Sequence, residues 1–269
     1  MKIIISHDVD HIAAWEHRYD LILPKYIVRG LIELILNKIS FAEYWLRFKG
    51  VVTNKFNNLE ELMLFDEKNN VNSTFFIGVN HGLGLSYSSK KAECWIKKIL
   101  ASGFDVGVHG IEYDNPENIK KEYHLFKQIS GLNNFGIRMH YLRTSINTVQ
   151  YLMQTGYSFD STTQKLDNPF RFGSMWEFPL HIMDVYLFNR GQRWQKQSLG
   201  QVKDQTLRIL EKADKKGIRY FTLLFHDHYF SRSFKAWKDW YIWAIEYFKK
   251  NGYEFVTYRD AVSELEAGA

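Results

Sequence analysis

The feature that most constrains this chain is a repeated alternation of short β-branched runs with longer amphipathic ones. Strand-type runs lie at 2–6, 73–78, 104–108, 135–138, 157–160, 182–188 and 219–225, with a further one near 254–257. Helical periodicity fills the intervals near 25–38, 58–69, 88–102, 115–131, 145–155, 201–216 and 235–250. Gly103, Gly131, Gly156, Gly217 and Gly252 each follow a helical run, where a left-handed cap is wanted. Strand and helix alternating about seven times predict an α/β fold with mostly parallel strands. No linker, repeat or low-complexity segment divides the sequence, so residues 1–269 read as one domain.

The first strand carries the densest chemistry. Lys2-Ile3-Ile4-Ile5 runs straight into Ser6-His7-Asp8-Val9-Asp10-His11. Asp8 and Asp10 are two apart, so on a continuing strand their carboxylates share a face. Like charges that close raise one another's pKa unless a cation intervenes. A metal on one carboxylate and base chemistry on the other resolves the conflict. Four more polar clusters fall where strands should end: His109 to Asp114, Arg138 to Arg143, Asp160 to Thr162, and His226 to His228. Parallel α/β folds build their sites at the C-terminal ends of strands.

Composition removes several alternatives. Hydrophobic residues are 45% and charged residues 24%, so the chain is globular. A lone cysteine, Cys94, excludes an internal disulfide framework and suits a reducing compartment. The apolar start is too short for a signal peptide, and the expected location is cytoplasmic. The formal charge of +5 is dispersed, without a basic block that would read as a nucleic-acid patch. It suits phosphate-bearing or membrane-surface partners instead. Residues 21–48 are unusually apolar, but Lys25, Arg29, Glu33 and Lys38 interrupt them, so they do not read as a membrane span. They read either as a helix and loop packed over the core, the favoured assignment, or as an interfacial helix resting on a bilayer.

The order Ser6-His7-Asp8-Val9-Asp10, Val106-Gly107-Val108-His109, Arg138-Met139-His140-Tyr141 and Leu223-Leu224-Phe225-His226 resembles the polysaccharide deacetylases, carbohydrate esterase family 4 with the NodB-homology domain. The resemblance spans nearly the whole chain. It implies a distorted (β/α)7 TIM-like barrel and a divalent metal, zinc foremost, that hydrolyses an acetyl group from a sugar. By position it implies Asp8 as catalytic base, Asp10 and His109 as metal ligands, Arg138 as the partner of Asp8, and His226 as general acid. Asp160 falls where the family often orients that histidine, and Trp176 to Pro179 resembles the stretch lining the substrate groove. His140 and Tyr141, in the third motif, are expected at the substrate.

The second motif departs from the pattern. Four residues after His109, where the family has another histidine, stands Tyr113, followed by Asp114. Asp114 is the preferred third ligand, with His81, His140 and His228 in reserve; loss of the metal is the remaining option. The expected substrate is an intracellular nucleotide- or lipid-linked sugar destined for a surface polysaccharide. The rivals are another hydrolase of non-peptide amides on the same scaffold, and a non-catalytic carbohydrate-binding relative.

Overall fold

The structure is a computed structural model that describes residues 1–268. Strand β1 (Lys2–Val9) is followed by three helices, α1 (Ile22–Ile35), α2 (Phe41–Val52) and α3 (Leu59–Lys68). Then come β2 (Thr74–Ile77), α4 (Ser89–Ala101), β3 (Asp105–Gly110), α5 (Pro116–Ser130), β4 (Ile137–Met139) and α6 (Thr148–Thr155). Short strands β5 (Phe159–Asp160), β6 (Phe170–Phe172), β7 (Met175–Glu177) and β8 (Ile182–Met183) lead into α7 (Asp184–Asn189). The chain ends with α8 (Leu199–Lys215), β9 (Tyr220–Leu224), α9 (Lys235–Lys250), β10 (Glu254–Phe255) and α10 (Tyr258–Ala267).

The strands form one sheet in the order β6-β7-β5-β4-β3-β2-β1-β9-β8, with β10 also pairing β1. Every pairing is parallel except β6 with β7. The sheet curls into a distorted α/β barrel. Period-two alternation sorts β1. Ile3, Ile5 and Val9 join the core between sheet and helices, whereas Ile4 joins an inner cluster with Phe76, Phe159, Phe178, Tyr220 and Tyr258. Ser6, Asp8 and Asp10 continue the Ile4 face inward. His7 points the other way, bridging the Phe225 carbonyl at 2.8 Å and the Asp66 carboxylate at 2.9 Å. It is a structural tie between β1 and α3.

The inner cluster is tight enough to require glycine at its edge. A Cβ on Gly107 would lie 2.7 Å from the Phe76 ring. Phe76 in turn lies under the Arg138 guanidinium, 4.3 Å from its centre. Two segments differ from expectation. The run 182–188 is a strand of two residues that turns into α7, and 170–177 forms an unforeseen hairpin, β6–β7. The stretch 21–48 folds as two helices, α1 and α2, rather than a helix and loop.

Candidate metal and catalytic centre

Strand ends deliver Asp8 and Asp10 from β1, His109 from β3, Arg138 and His140 from β4, and His226 from just beyond β9. Asp8, Asp10, His109, His140 and His226 all line one cavity of about 350 Å³, within the usual range for small-molecule sites. Arg138 lies beneath it, fully buried. Its Nη1 donates to Asp8 Oδ1 at 2.9 Å and to Ser6 Oγ at 3.0 Å; Nε donates to the Ser161 carbonyl and Nη2 to Tyr258 Oη at 2.7 Å. The guanidinium is therefore a satisfied, immobile cation. Burial alone would push Asp8 up, but the charges of Arg138, His109 and His226 outweigh it and hold the carboxyl below its usual range.

The metal expectation divides. Asp10 and His109 come together, with His109 Nε2 3.2 Å from Asp10 Oδ1. Asp114 does not join them: it lies exposed in the turn after β3, outside both the cluster and the cavity wall. A carboxylate on that solvent-facing turn has no route to the inner face of the sheet. His140 fills the third position instead, its Nδ1 3.0 Å from His109 Nε2 and 3.5 Å from Asp10 Oδ1. Among the described residues, these three form the one group of acidic, histidine or cysteine side chains able to share an ion.

The donor set fits a divalent cation. His109 Nδ1–H donates to the Arg138 carbonyl at 3.0 Å, and His140 Nε2–H to the Leu83 carbonyl at 3.1 Å. Both outer nitrogens are thus committed as donors, which turns the inner nitrogens toward Asp10 and toward each other. Three acceptor-type atoms converging on one point need a cation or a proton there. Tetrahedral zinc with ligands at about 2.0–2.2 Å separates its donor atoms by about 3.3–3.6 Å; the three separations here are 3.0, 3.2 and 3.5 Å.

Across the cavity, His226 Nδ1 bonds Asp184 Oδ1 at 2.8 Å, and its backbone N–H donates to Asp184 Oδ2 at 2.8 Å. Burial would depress the imidazole pKa, but the Asp184 carboxylate prevails and holds it well above the ordinary value. Asp184, the first residue of α7, therefore takes the position expected of Asp160. The expectation for Asp160 fails on strand parity. Its neighbours Phe159 and Ser161 face inward, to the inner cluster and to Arg138, so Asp160 faces outward. There it accepts a hydrogen bond from Thr162 Oγ1 and lies opposite Glu177 of β7.

Trp176 also lies outside the cavity wall. It packs beside the inner cluster, and its Nε1 donates to Glu266 of α10. Tyr141 does line the cavity, at the tip of a loop in which Tyr141 (φ 56°) and Leu142 (φ 52°) are both left-handed. Each such residue costs about 1–2 kcal/mol, a strain retained in the loop that carries His140.

The misplaced acid makes its own prediction. Burial, then the charge of Asp160, pushes Glu177 up to about 9. A carboxyl raised in the folded state contributes stability that is complete below the ordinary carboxylate range and lost as pH rises through about 9. Glu177→Gln mimics the protonated form and keeps the oxygen that accepts Thr163 N–H at 3.0 Å. Urea unfolding should show little difference at pH 4 and a stabilisation of about 1–3 kcal/mol at pH 9.

No family profile and no curated protein matches this sequence. Solved structures do match its fold. A protein assigned as a polysaccharide deacetylase from Mycobacterium smegmatis superposes with TM-score 0.68 at 14% identity, covering 99% of this chain and 90% of that one. Puue allantoinase superposes with TM-score 0.66 at 12% identity, over 99% and 89%. A carbohydrate esterase family 4 pseudoenzyme from Bacillus anthracis reaches 0.52 at 11% identity, over 97% and 65%. The chain thus has the fold of the polysaccharide deacetylases, as the resemblance of its motifs implied.

Proposed function

We propose that this chain is a metal-dependent hydrolase that removes an acetyl group from a sugar. The observation that carries the reading is the meeting, around one cavity, of Asp10, His109 and His140 with Asp8 bonded to Arg138 and His226 bonded to Asp184. Asp10, His109 and His140 would hold a divalent metal, zinc before harder ions because two imidazoles and one carboxylate suit tetrahedral coordination. When bound, the ion supplies Lewis acidity toward a water and the acyl oxygen.

The remaining chemistry belongs to the protein's own groups. Asp8 Oδ1 is engaged by Arg138, leaving Oδ2 to accept the proton of the attacking water. Because Arg138 favours the charged carboxylate, Asp8 is ready as a base at neutral pH. Asp184 fixes the His226 ring so that its Nε2–H faces the cavity, where it gives a proton to the departing nitrogen or oxygen. The positive formal charge of +5 suits a substrate bearing phosphate, such as a nucleotide- or lipid-linked sugar.

The test is acetate release from N- and O-acetylated sugars, abolished by a chelator and restored by Zn²⁺. Release of ammonia or formate from other amides, without acetate, would assign the chain to a different C–N hydrolase. Absence of bound metal and of all turnover would leave a binding protein. Asp184→Asn should lower kcat by roughly 10²-fold with metal content unchanged, and should move the alkaline limb of the pH–rate profile to lower pH. Asp160→Asn should leave that limb in place.

A further inference from the structure

The α1–α2 hairpin is amphipathic in the wrong sense for a protein surrounded by water. Its buried face is charged: Glu33 and Arg47 are fully enclosed and paired, Arg29 Nε donates to Glu33 Oε1 at 2.9 Å, and Arg47 Nε donates to the Ser233 carbonyl at 3.0 Å. Its exposed face is apolar. On α1 the stripe Val28, Leu31 and Ile35, preceded by Leu21, follows helical spacing, and on α2 so does Phe41, Trp45, Phe48 and Val52. Ile35 and Phe41 are each about 70% exposed. An apolar face this continuous is rare on a protein that meets only water.

We propose that this hairpin docks the protein on an anionic lipid bilayer. Charge complementarity selects the occupant. Lys25 and Lys49 flank the two stripes, Lys38 sits in the connection, and none of the three has a carboxylate partner among the described residues. Trp45 and Phe48 stack at 5.7 Å at the centre of the α2 face. Aromatic rings with a lysine rim are the composition of a helix lying in the headgroup region. A second copy of the chain on the same face would oppose lysine to lysine. No helix among the described residues is long and apolar enough to cross a membrane, so the hairpin lies on the surface rather than through it.

The docked orientation also defines the substrate class, an inference that rests on the deacetylase reading above, as the docking itself does not. At Lys25 and Val28 the exposed stripe meets a groove of about 860 Å³ that α1 also lines with Ile22, Tyr26, Arg29 and Ile32. Arg29, Tyr141 and His228 belong both to this groove and to the catalytic cavity, so the two are continuous. Apolar walls with Lys25, Arg29 and Arg193 fit an acyl-type chain joined to phosphate. The acetylated sugar at the metal would then be carried on a phosphorylated lipid.

The test uses the full chain in co-sedimentation with vesicles of phosphatidylcholine, with and without phosphatidylglycerol. Wild type should bind the anionic vesicles at least about tenfold more tightly than neutral ones, and less so as salt rises. Ile35→Glu combined with Trp45→Glu should lose that binding with an unchanged melting temperature, whereas Leu64→Glu, on α3, should retain it. Failure of wild type to bind, equal binding by the double variant, or a dimer that the double variant dissolves in sedimentation velocity would each overturn the docking. For the substrate, the double variant should release acetate normally from a water-soluble acetylated aminosugar but several-fold more slowly from one joined through phosphate to a long alkyl chain in vesicles. Equal rates on both would overturn the lipid-carried class. Vesicle binding without acetate from any substrate would overturn the deacetylase reading and leave the docking intact.

Discussion

Asp8→Asn is expected to lower kcat by about 10²–10⁴-fold while the purified protein keeps its full complement of metal. The asparagine has the same shape and can still accept from Arg138 Nη1, but it cannot take a proton from water. It also leaves a fully buried guanidinium without its counter-charge, although Ser161 and Tyr258 still receive its other N–H groups. Breaking a buried pair from one side costs about 3–5 kcal/mol, so a lower melting temperature should accompany the kinetic loss. Assays well below the variant's melting temperature, with metal measured by mass spectrometry on the same sample, separate the two effects. Asp8→Asn with near-normal turnover would remove Asp8 from the base role.

His140→Ala should abolish both metal and activity, whereas Asp114→Ala should change neither. Removing one of three ligands weakens binding by more than the 10–100-fold typical of outer-shell partners, because the remaining pair no longer encloses the ion. The alanine also leaves the Leu83 carbonyl without its donor, so a small loss of stability accompanies the loss of the ligand. The paired comparison is informative because both residues lie within a few positions of motif residues, yet only His140 is on the inner face. Retained metal in His140→Ala, or its loss in Asp114→Ala, would reverse the assignment.

Much of this arrangement is legible in the amino-acid sequence. β-Branched runs ending in polar residues located β1, β3, β4 and β9, and period-two alternation placed Asp8 and Asp10 together. The same rule applied to Arg138 points to His140, two residues on along the same inward face. His109 and Arg138 are register partners in neighbouring strands, which brings His140 beside His109. Spacing along the loop after His109 drew attention to Asp114 instead, but a loop has no fixed side-chain direction. Asp160 was expected beside His226 from the family resemblance, but Phe159 and Ser161 own the inner face of β5, so Asp160 faces outward.

Asp184 was hidden because 182–188 read as a continuous strand. Ending that strand at Met183 would have exposed an acidic residue at a strand terminus, the signal that marked every other site residue. The hairpin β6–β7 escaped because two three-residue strands leave no periodicity to detect. The apolar character of 21–48 was plain, with a helix resting on a bilayer as one of its two readings, but which side faces out was not. Periodicity reports that one face of a helix is apolar, but not which face the fold buries, and here the charged face went inside.

The most direct measurement is anomalous diffraction at the zinc edge from crystals of protein supplied with Zn²⁺. A single strong peak is expected within coordination distance of an Asp10 carboxylate oxygen, His109 Nε2 and His140 Nδ1, with Asp8 Oδ2 and His226 Nε2 facing it from the cavity wall. A peak coordinated by Asp114, or no peak among these residues at saturating zinc, would contradict this assignment.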